Sequence, residues 1–306
     1  MSLLKITSTS PATHTSFLKP RSTLKSFTTN SENKIQTQQL SQNIQHIIAT
    51  TALLESRAAL YGDYLLATFA EKDVRWLNGI RQWTNEETSH GKMLSHIAMQ
   101  LGMRSRPEDL LTRYVAEVLY HDNNGVSVRG SVGKELVAHC VVEALASTYY
   151  RALADSVCEQ TTRRTLTFLA QDEARHFGMF RRMLIEEKST DRKLTNFAII
   201  TAAVKRMMAL GDEQISYASW LVGQAQDERK TQSPSHSTCF SKRWEANIYA
   251  AKLYPLYRYK HLHYAAGMML QIGNLRSAKA QQCLGAALWC GVRLRALVAK
   301  VALRFS

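Results

Sequence analysis

Apolar side chains recur every three or four residues along most of this chain, a spacing typical of amphipathic helices. The first periodic stretch covers residues 38–102 and begins with one continuous apolar stripe. The stripe consists of Ile44, Ile47, Ile48, Leu53, Leu54, Leu60, Tyr61, Tyr64, Leu65 and Phe69. A polar break at 71–73 divides the stretch, and Gly102 followed by Pro107 marks its end. The pattern therefore predicts two helices, of which the second spans residues 74–102.

Two more long helices are predicted over residues 134–158 and 161–188, after a loop at 121–133 that contains three glycines. The four helices lie within one stretch of the chain and are joined by loops. Such an arrangement favours a bundle, in which each helix buries its apolar stripe against the others. We therefore expect a four-helix bundle over residues 38–190.

The chain beyond residue 190 is expected to add further helices. Residues 193–225 have the periodicity of a fifth helix, residues 226–241 are polar and resemble a linker, and residues 242–306 have room for two or three helices. The chain contains only five prolines, which favours long helices over the many turns of a β-sandwich. The predicted fold class is all-α, a four-helix bundle with additional C-terminal helices over 191–306.

The N-terminal region differs from the rest in composition. Residues 1–37 are rich in Ser and Thr and contain no acidic residue before Glu32, which predicts a disordered tail. The same composition is shared by organelle transit peptides, so targeting is an alternative to a cytoplasmic location. The five cysteines form no Cys-x-x-Cys pair, which favours a reducing compartment. No apolar run is long enough for a membrane-spanning helix.

Positive charge is concentrated in the C-terminal region. The formal net charge is +14, and from Cys239 onwards the only acidic residue is Glu245, against eleven Lys and Arg. Such a region suggests an anionic partner. The apolar segment 284–305 could lie on an anionic membrane, dock an acidic carrier protein or be a plain core helix. A nucleic-acid partner is not expected, since no recognised binding module is present.

A Glu-x-x-His motif occurs twice, as Glu87/His90 and as Glu173/His176. Residues three apart on a helix lie on the same face, so each pair can bind one metal ion. The two motifs fall on the second and fourth predicted helices. Helical bundles with two metal ions use this motif on two helices and one further Glu from each of the other two.

Glutamates at suitable positions exist on the other two helices. Glu143 lies 30 residues before Glu173 and Glu55 lies 32 residues before Glu87, each among aliphatic residues. A buried carboxylate is costly unless it is paired or binds a metal. The alternatives are an ion pair with a basic residue such as Arg57 or Arg151, and Glu71 in place of Glu55.

The segment Trp83-Thr84-Asn85-Glu86-Glu87-Thr88-Ser89-His90-Gly91 resembles the Trp-Thr-x-Glu-Glu-x-x-His-Gly motif of soluble acyl-carrier-protein desaturases. The segment 170–176, Ala-Gln-Asp-Glu-Ala-Arg-His, resembles a second motif of that family. The resemblance covers residues 45–190 and implies a ferritin-like fold with a di-iron site. The implied iron ligands are Glu55, Glu87, His90, Glu143, Glu173 and His176. Asp172 and Glu86 would orient the two ligating histidines.

At some positions this chain differs from the di-iron families that it resembles. Desaturases carry a threonine three residues after the third-helix glutamate, where this chain has Ala146; the hydroxyl of Ser147 is therefore the candidate catalytic side chain. Di-iron N-oxygenases carry an extra histidine where this chain has Leu169. His139, one turn before Glu143, is either a seventh ligand or a core histidine.

The resulting hypothesis is a di-iron, O2-dependent oxidoreductase: a desaturase, hydroxylase or related oxidase with a hydrophobic, carrier-bound substrate. Two iron ions are the expected cofactor, with an iron/manganese pair as alternative, and O2 is the co-substrate. No nucleotide-binding motif is present, so electrons must come from an external donor. An acyl carrier protein or an anionic membrane is the expected C-terminal partner, and a homodimer remains open. The alternative functions are iron or peroxide handling without an organic substrate, N-oxygenation, and a scaffold with a vestigial site.

Overall fold

The computed structural model describes residues 41–118, 125–209, 213–226 and 240–305, and these residues form helices without a β-strand. The all-α prediction is confirmed. The helices are α1 (41–55), α2 (Ala58–Thr68), α3 (Val74–Gln100), α4 (Leu111–Glu117), α5 (Val132–Ala154), α6 (Gln160–Thr190), α7 (Asn196–Met208), α8 (Glu213–Gln226), α9 (Lys242–Leu253), α10 (Tyr259–Ile272) and α11 (Ala278–Ala302). Short 3₁₀ helices occupy Pro107–Leu110 and Tyr254–Leu256.

Several helices begin at a side-chain cap. The carboxylate of Asp73 accepts a hydrogen bond from the backbone N–H of Arg75 at the start of α3. Ser131 caps α5 through the N–H of Lys134, and Glu159 accepts two backbone N–H groups at the start of α6. These side chains satisfy N–H groups that have no acceptor within the first helical turn. They fix where the three longest helices near the candidate site begin.

Five helices, α1, α2, α3, α5 and α6, contribute side chains to two apolar clusters. One cluster joins α1 to the C-terminal half of α3, the C-terminal half of α5 and the N-terminal half of α6. The other joins α2 to the N-terminal halves of α3 and α5 and the C-terminal half of α6. Helix α6 is thus antiparallel to α3 and α5. The polar residues of the two Glu-x-x-His motifs lie along the chain between the residues of these two clusters.

The first predicted helix is divided. The chain turns at Ser56 and Arg57, so α1 ends at Glu55 and α2 begins at Ala58. A Cβ atom on Gly91 of α3 would lie 3.1 Å from the backbone nitrogen of Ser56, which shows how closely the turn approaches α3. The hydroxyl of Ser56 donates to the carbonyl of Ala52. The division is a tertiary feature that periodicity does not reveal.

Other boundaries also differ from the expected ones. The predicted helix 193–225 consists of two helices, α7 and α8, with residues 210–212 between them outside the described part. Pro107 begins a 3₁₀ turn that leads into α4, which was not predicted. The expected N-terminal tail also lies outside the described residues. In the part of the chain that the structure describes, no helix has both the length and the apolarity to cross a membrane.

Candidate metal centre

Six predicted ligand positions lie on four helices. Helix α1 ends at Glu55, α3 carries Glu87 and His90, α5 carries Glu143, and α6 carries Glu173 and His176. Five of these side chains are buried and Glu55 is partly buried. Glu87, Glu143, Glu173 and His176 offer ligand atoms that all lie within 4.8 Å of one another, and this group could hold a metal ion. The predicted buried Glu/His group is therefore present.

Glu87 and Glu173 each lie between the two histidines. The oxygens of Glu87 lie 2.9 Å from Nδ1 of His176 and 3.3 Å from Nδ1 of His90. The oxygens of Glu173 lie 3.1 Å from Nδ1 of His90 and 3.4 Å from Nδ1 of His176. The two Glu-x-x-His motifs thus face each other in a nearly symmetric pattern, with each carboxylate close to both imidazoles.

Each histidine uses its other nitrogen to contact an outer carboxylate. Nε2 of His90 lies 3.2 Å from Asp172, and Nε2 of His176 lies 2.8 Å from Glu86. Arg175 pairs with both outer carboxylates, at 2.6 Å from Asp172 and 3.1 Å from Glu86. Partners of this kind fix the tautomer of a ligating histidine and leave its Nδ1 lone pair directed inwards. The outer roles of Asp172 and Glu86 implied by the resemblance agree with these contacts.

The inner polar atoms lack hydrogen-bond partners. Oε1 of Glu87, Nδ1 of His90, Oε1 of Glu173 and Nδ1 of His176 are buried, and none makes a hydrogen bond of acceptable geometry. They approach one another closely in directions that do not suit hydrogen bonds. Buried polar atoms are nearly always satisfied, so this convergent unsatisfied group is a candidate cation site. The donor set of carboxylates and imidazoles suits iron, manganese or zinc.

Glu55 and Glu143 both lie close enough to Glu87 and Glu173 to interact electrostatically with them. Oε1 of Glu55 accepts a hydrogen bond of 3.0 Å from the hydroxyl of Tyr150. Oε2 of Glu143 lies 3.8 Å from Nδ1 of His176. The rival residue, Glu71, is exposed beyond the end of α2. The geometry favours Glu55.

The arginines proposed as alternative partners bind elsewhere. Arg57 donates to the hydroxyl of Tyr114 and, at 2.7 Å, to the side-chain oxygen of Gln214. Arg151 lies over the ring of Tyr264 and donates to its hydroxyl. These contacts do not support the ion-pair interpretation of Glu55 and Glu143.

The cluster shifts the pKa values of its members strongly. Burial, together with the charges of Glu87 and Glu173, raises the pKa of Glu55 and of Glu143 well above the usual range. Burial also acts to raise the pKa of Glu87, but its contacts with His176 and His90 outweigh that effect and lower it to about 2. The acidic neighbours raise the pKa of His90 to about 11 and that of His176 to about 10, against the effect of burial. The raised pKa values favour the protonated forms of these side chains, and a metal ion must displace such protons from its ligands.

Ser147 is buried one turn after Glu143, and its hydroxyl donates to the carbonyl of Ala170 at 2.6 Å. It also lies 3.4 Å from the hydroxyl of Tyr264. The hydroxyl proton is thus directed to the backbone of α6, and a catalytic role for Ser147 stays a prediction.

His139 is buried among aromatic rings beside the cluster. Its ring stacks on Phe180 and meets Trp83 edge-on, while its Nδ1 lies 3.7 Å from Glu143. Neither nitrogen of His139 has a hydrogen-bond partner, and the same is true of the indole nitrogen of Trp83. Burial lowers the pKa of His139 to about 4, so the ring is neutral at pH 7. The packing fits a core histidine next to the site.

One carboxylate near the site was missed by the sequence reasoning. Glu135 is fully buried two turns before Glu143 and accepts hydrogen bonds from Tyr64 and Ser127, each at 2.8 Å. Arg129 pairs with the same carboxylate at 3.1 Å. The spacing of Glu135, His139 and Glu143, four residues apart on one helix face, was the available signal. This network ties the loop before α5 to the helix that presents Glu143.

Comparison with known proteins gives no further assignment, since no family model, no curated protein and no solved structure matches this chain.

Proposed function

We propose that this cluster binds two iron ions and that the protein is an O2-dependent oxidoreductase. The observation that carries the proposal is the paired geometry of the two Glu-x-x-His motifs. Glu87 and Glu173 each span both histidines, and each histidine is fixed by an outer carboxylate. One glutamate and one Glu-x-x-His motif for each ion is the ligand set of di-iron carboxylate bundles. A single-ion site would need only half of these residues.

The two ions would have separate terminal ligands. His90 and Glu55 would bind one ion, His176 and Glu143 the other, and Glu87 and Glu173 would bridge them. When bound, a ferrous pair supplies the electrons that activate O2 for attack on an unactivated C–H bond. The outer carboxylates of Asp172 and Glu86 would hold the histidine tautomers, and burial would exclude water from the ligands. An iron/manganese pair would use the same ligands.

The substrate side of the site is proposed to lie at Glu143. There the rings of Tyr61, Trp83, His139 and Phe180 form an aromatic group with centroid separations of 4.4 to 6.4 Å. These rings would give an aliphatic or aromatic substrate an apolar environment beside the metal ligands. Desaturation, hydroxylation and related oxidations are all compatible with it. An external electron donor completes the proposed reaction.

A second candidate is iron or peroxide handling without an organic substrate. One observation favours it: the outer carboxylate Glu86 retains 25% of its side-chain exposure and its partner Arg175 retains 49%. The ligand His176 is therefore separated from the surface by one side chain. A short path of this kind would allow iron ions to enter and leave.

Metal content and O2 uptake test the proposal. The full chain would be reconstituted anaerobically with ferrous iron beside the variant E87A/E173A and the control E71A, which changes an exposed glutamate. We expect about two irons per chain in the wild type and in E71A and almost none in the double variant. Circular dichroism would establish that the double variant is folded. Equal iron content in all three proteins would refute the site.

The function is then read from O2 consumption. The oxidoreductase proposal predicts that fatty acyl compounds increase O2 uptake by the iron-loaded protein and yield an oxidised product. Iron handling predicts O2 or peroxide consumption in proportion to added ferrous iron, with no effect of any organic compound. Absence of bound iron would leave only the scaffold alternative.

A further inference from the structure

The C-terminal helix α11 turns an apolar face away from the protein. Only Gly285, Ala296 and Ala299 of its 25 residues are buried. Larger side chains are exposed instead: Leu294 is 62% exposed, Leu297 59% and the nearby Phe305 87%. Exposed apolar groups of this size, gathered on one element, mark an interaction surface.

The exposed residues form one continuous stripe. Positions 283, 287, 290, 294, 297 and 301 are exposed, and the steps between them alternate between four and three residues. They are Cys283, Ala287, Cys290, Leu294, Leu297 and Val301. That alternation keeps side chains on one side of a helix over its whole length. Because the opposite side packs on α9 and α10, the stripe is the outward side of α11.

Basic side chains border this stripe. Arg293, Lys300 and Arg304 are exposed one position away from Leu294, Val301 and Phe305. No acidic residue follows Glu245 in the sequence. The partner of this face must therefore offer negative charge as well as an apolar phase.

A second copy of this chain does not meet that requirement. Two α11 helices packed through the stripe would bring Arg293, Lys300 and Arg304 of both copies together, with no carboxylate on either helix to pair with them. The N-terminal segment is also a poor occupant, since residues 1–31 contain no acidic residue. An apolar stripe with basic borders is the composition of helices that lie in the plane of an anionic bilayer.

We propose that α11 is a membrane-contact surface, which lies in the interface of a bilayer containing anionic phospholipids. Leu294, Leu297 and Val301 enter the acyl boundary, while Lys300 and Arg304 contact the phosphate groups. This places the protein on a membrane surface without crossing it. It also brings the protein to a source of long aliphatic substrates, but the membrane contact does not depend on the metal site.

Vesicle flotation of the full chain tests the contact. The protein would be mixed with phosphatidylcholine vesicles and with vesicles that also contain phosphatidylglycerol. We expect flotation with the second kind and little with the first, and a decrease as salt is raised. Equal flotation with both kinds, or none with either, would overturn the proposal.

A pair of substitutions within the stripe tests the contribution of its apolar side chains to vesicle binding. L294Q/L297Q should abolish flotation, whereas L60Q/F168Q, which replaces exposed apolar residues on α2 and α6, should not. If both pairs behave alike, the stripe is not the contact surface. Iron content, measured in parallel, should stay unchanged in every variant, so that failure here is distinct from failure of the metal site.

The charge variant is K300Q/R304Q, with R81Q/K92Q as a control that removes two exposed cations from α3. We expect roughly thirtyfold weaker partitioning for the first, at about 1 kcal/mol for each cation near an anionic surface. The control should bind as the wild type does. Two further results would overturn the proposal. One is binding to an acidic protein without vesicle binding, and the other is a dimer in solution that L294Q/L297Q dissociates.

Discussion

Replacing Glu143 by Gln should stabilise the protein in the presence of a chelator and weaken its response to metal. Glu143 is 2% exposed, and burial with the charges of Glu173 and Glu87 raises its pKa well above the ordinary 4.5. Above pH 4.5 the unfolded chain ionises this group while the folded chain keeps it protonated. Folding then requires proton uptake, so the stability of the wild type falls as pH rises, until the raised pKa is passed.

The size of this pH dependence follows from the one proton that Glu143 takes up on folding. In that pH range one such group lowers the free energy of unfolding by about 1.4 kcal/mol per pH unit. Glutamine has nearly the same shape and no proton to take up, so E143Q lacks this dependence. We expect the two proteins to be almost equally stable near pH 4 and to diverge at higher pH in favour of E143Q, by at most about 1.4 kcal/mol for each pH unit.

Urea unfolding with EDTA at several pH values measures the difference in free energy of unfolding between the wild type and E143Q. The control is E71Q, because Glu71 is exposed. The control should stay within about 0.5 kcal/mol of the wild type. Under anaerobic conditions with ferrous iron, the wild type should gain more stability than E143Q, which lacks one carboxylate ligand. A variant less stable than the wild type in EDTA at pH 6, or a difference independent of pH, would show that the folded chain does not hold Glu143 protonated. Glu143 would then be a structural carboxylate with a charged partner.

Three other perturbations follow from the contacts at the site. Removing the outer carboxylates one at a time, in D172N and in E86Q, should weaken iron affinity by about 10- to 100-fold without loss of folding; unchanged affinity in equilibrium titrations would count against their orienting role. Y150F removes the 3.0 Å hydrogen bond to Glu55 and should cost about 1 kcal/mol in urea unfolding, and no change would show that the bond is not formed. G91A places a Cβ 3.1 Å from the turn after α1 and should destabilise by about 1–3 kcal/mol, whereas wild-type stability would contradict the close packing.

Metal binding should also release protons. The pKa values of His90 and His176 are raised to about 11 and about 10, and both imidazoles must be neutral to bind a metal. Affinity should therefore increase as pH rises from 6 to 9. Calorimetry in buffers of different ionisation enthalpy measures the protons released. A pH-independent affinity with no proton release would exclude the histidines as ligands.

The central part of the site could be predicted because it depends on local spacing. Glu87 with His90 and Glu173 with His176 share a helix face by their three-residue separation alone. Glu143 follows from its position in an apolar run and from the distance along the chain to Glu173. Predicting these residues required only two assumptions. The stretches had to be helical, and successive helices had to bring their glutamates to the same level of the bundle.

The remaining parts depend on contacts between segments distant in sequence. The turn at Ser56 exists where α1 meets Gly91, so periodicity alone predicted one continuous helix. The network of Glu135 includes Ser127 from the preceding loop and Tyr64 from α2, which no spacing rule brings together. The outward apolar stripe of α11 could not be distinguished from a core stripe until its neighbours were known.

An X-ray structure of the iron-loaded protein, with anomalous differences measured on both sides of the iron absorption edge, would show directly whether two irons bind at the Glu/His cluster. We expect two iron peaks, one beside Glu55 and His90 and one beside Glu143 and His176, with Glu87 and Glu173 between them. One peak, or iron bound only elsewhere, would contradict a two-metal centre.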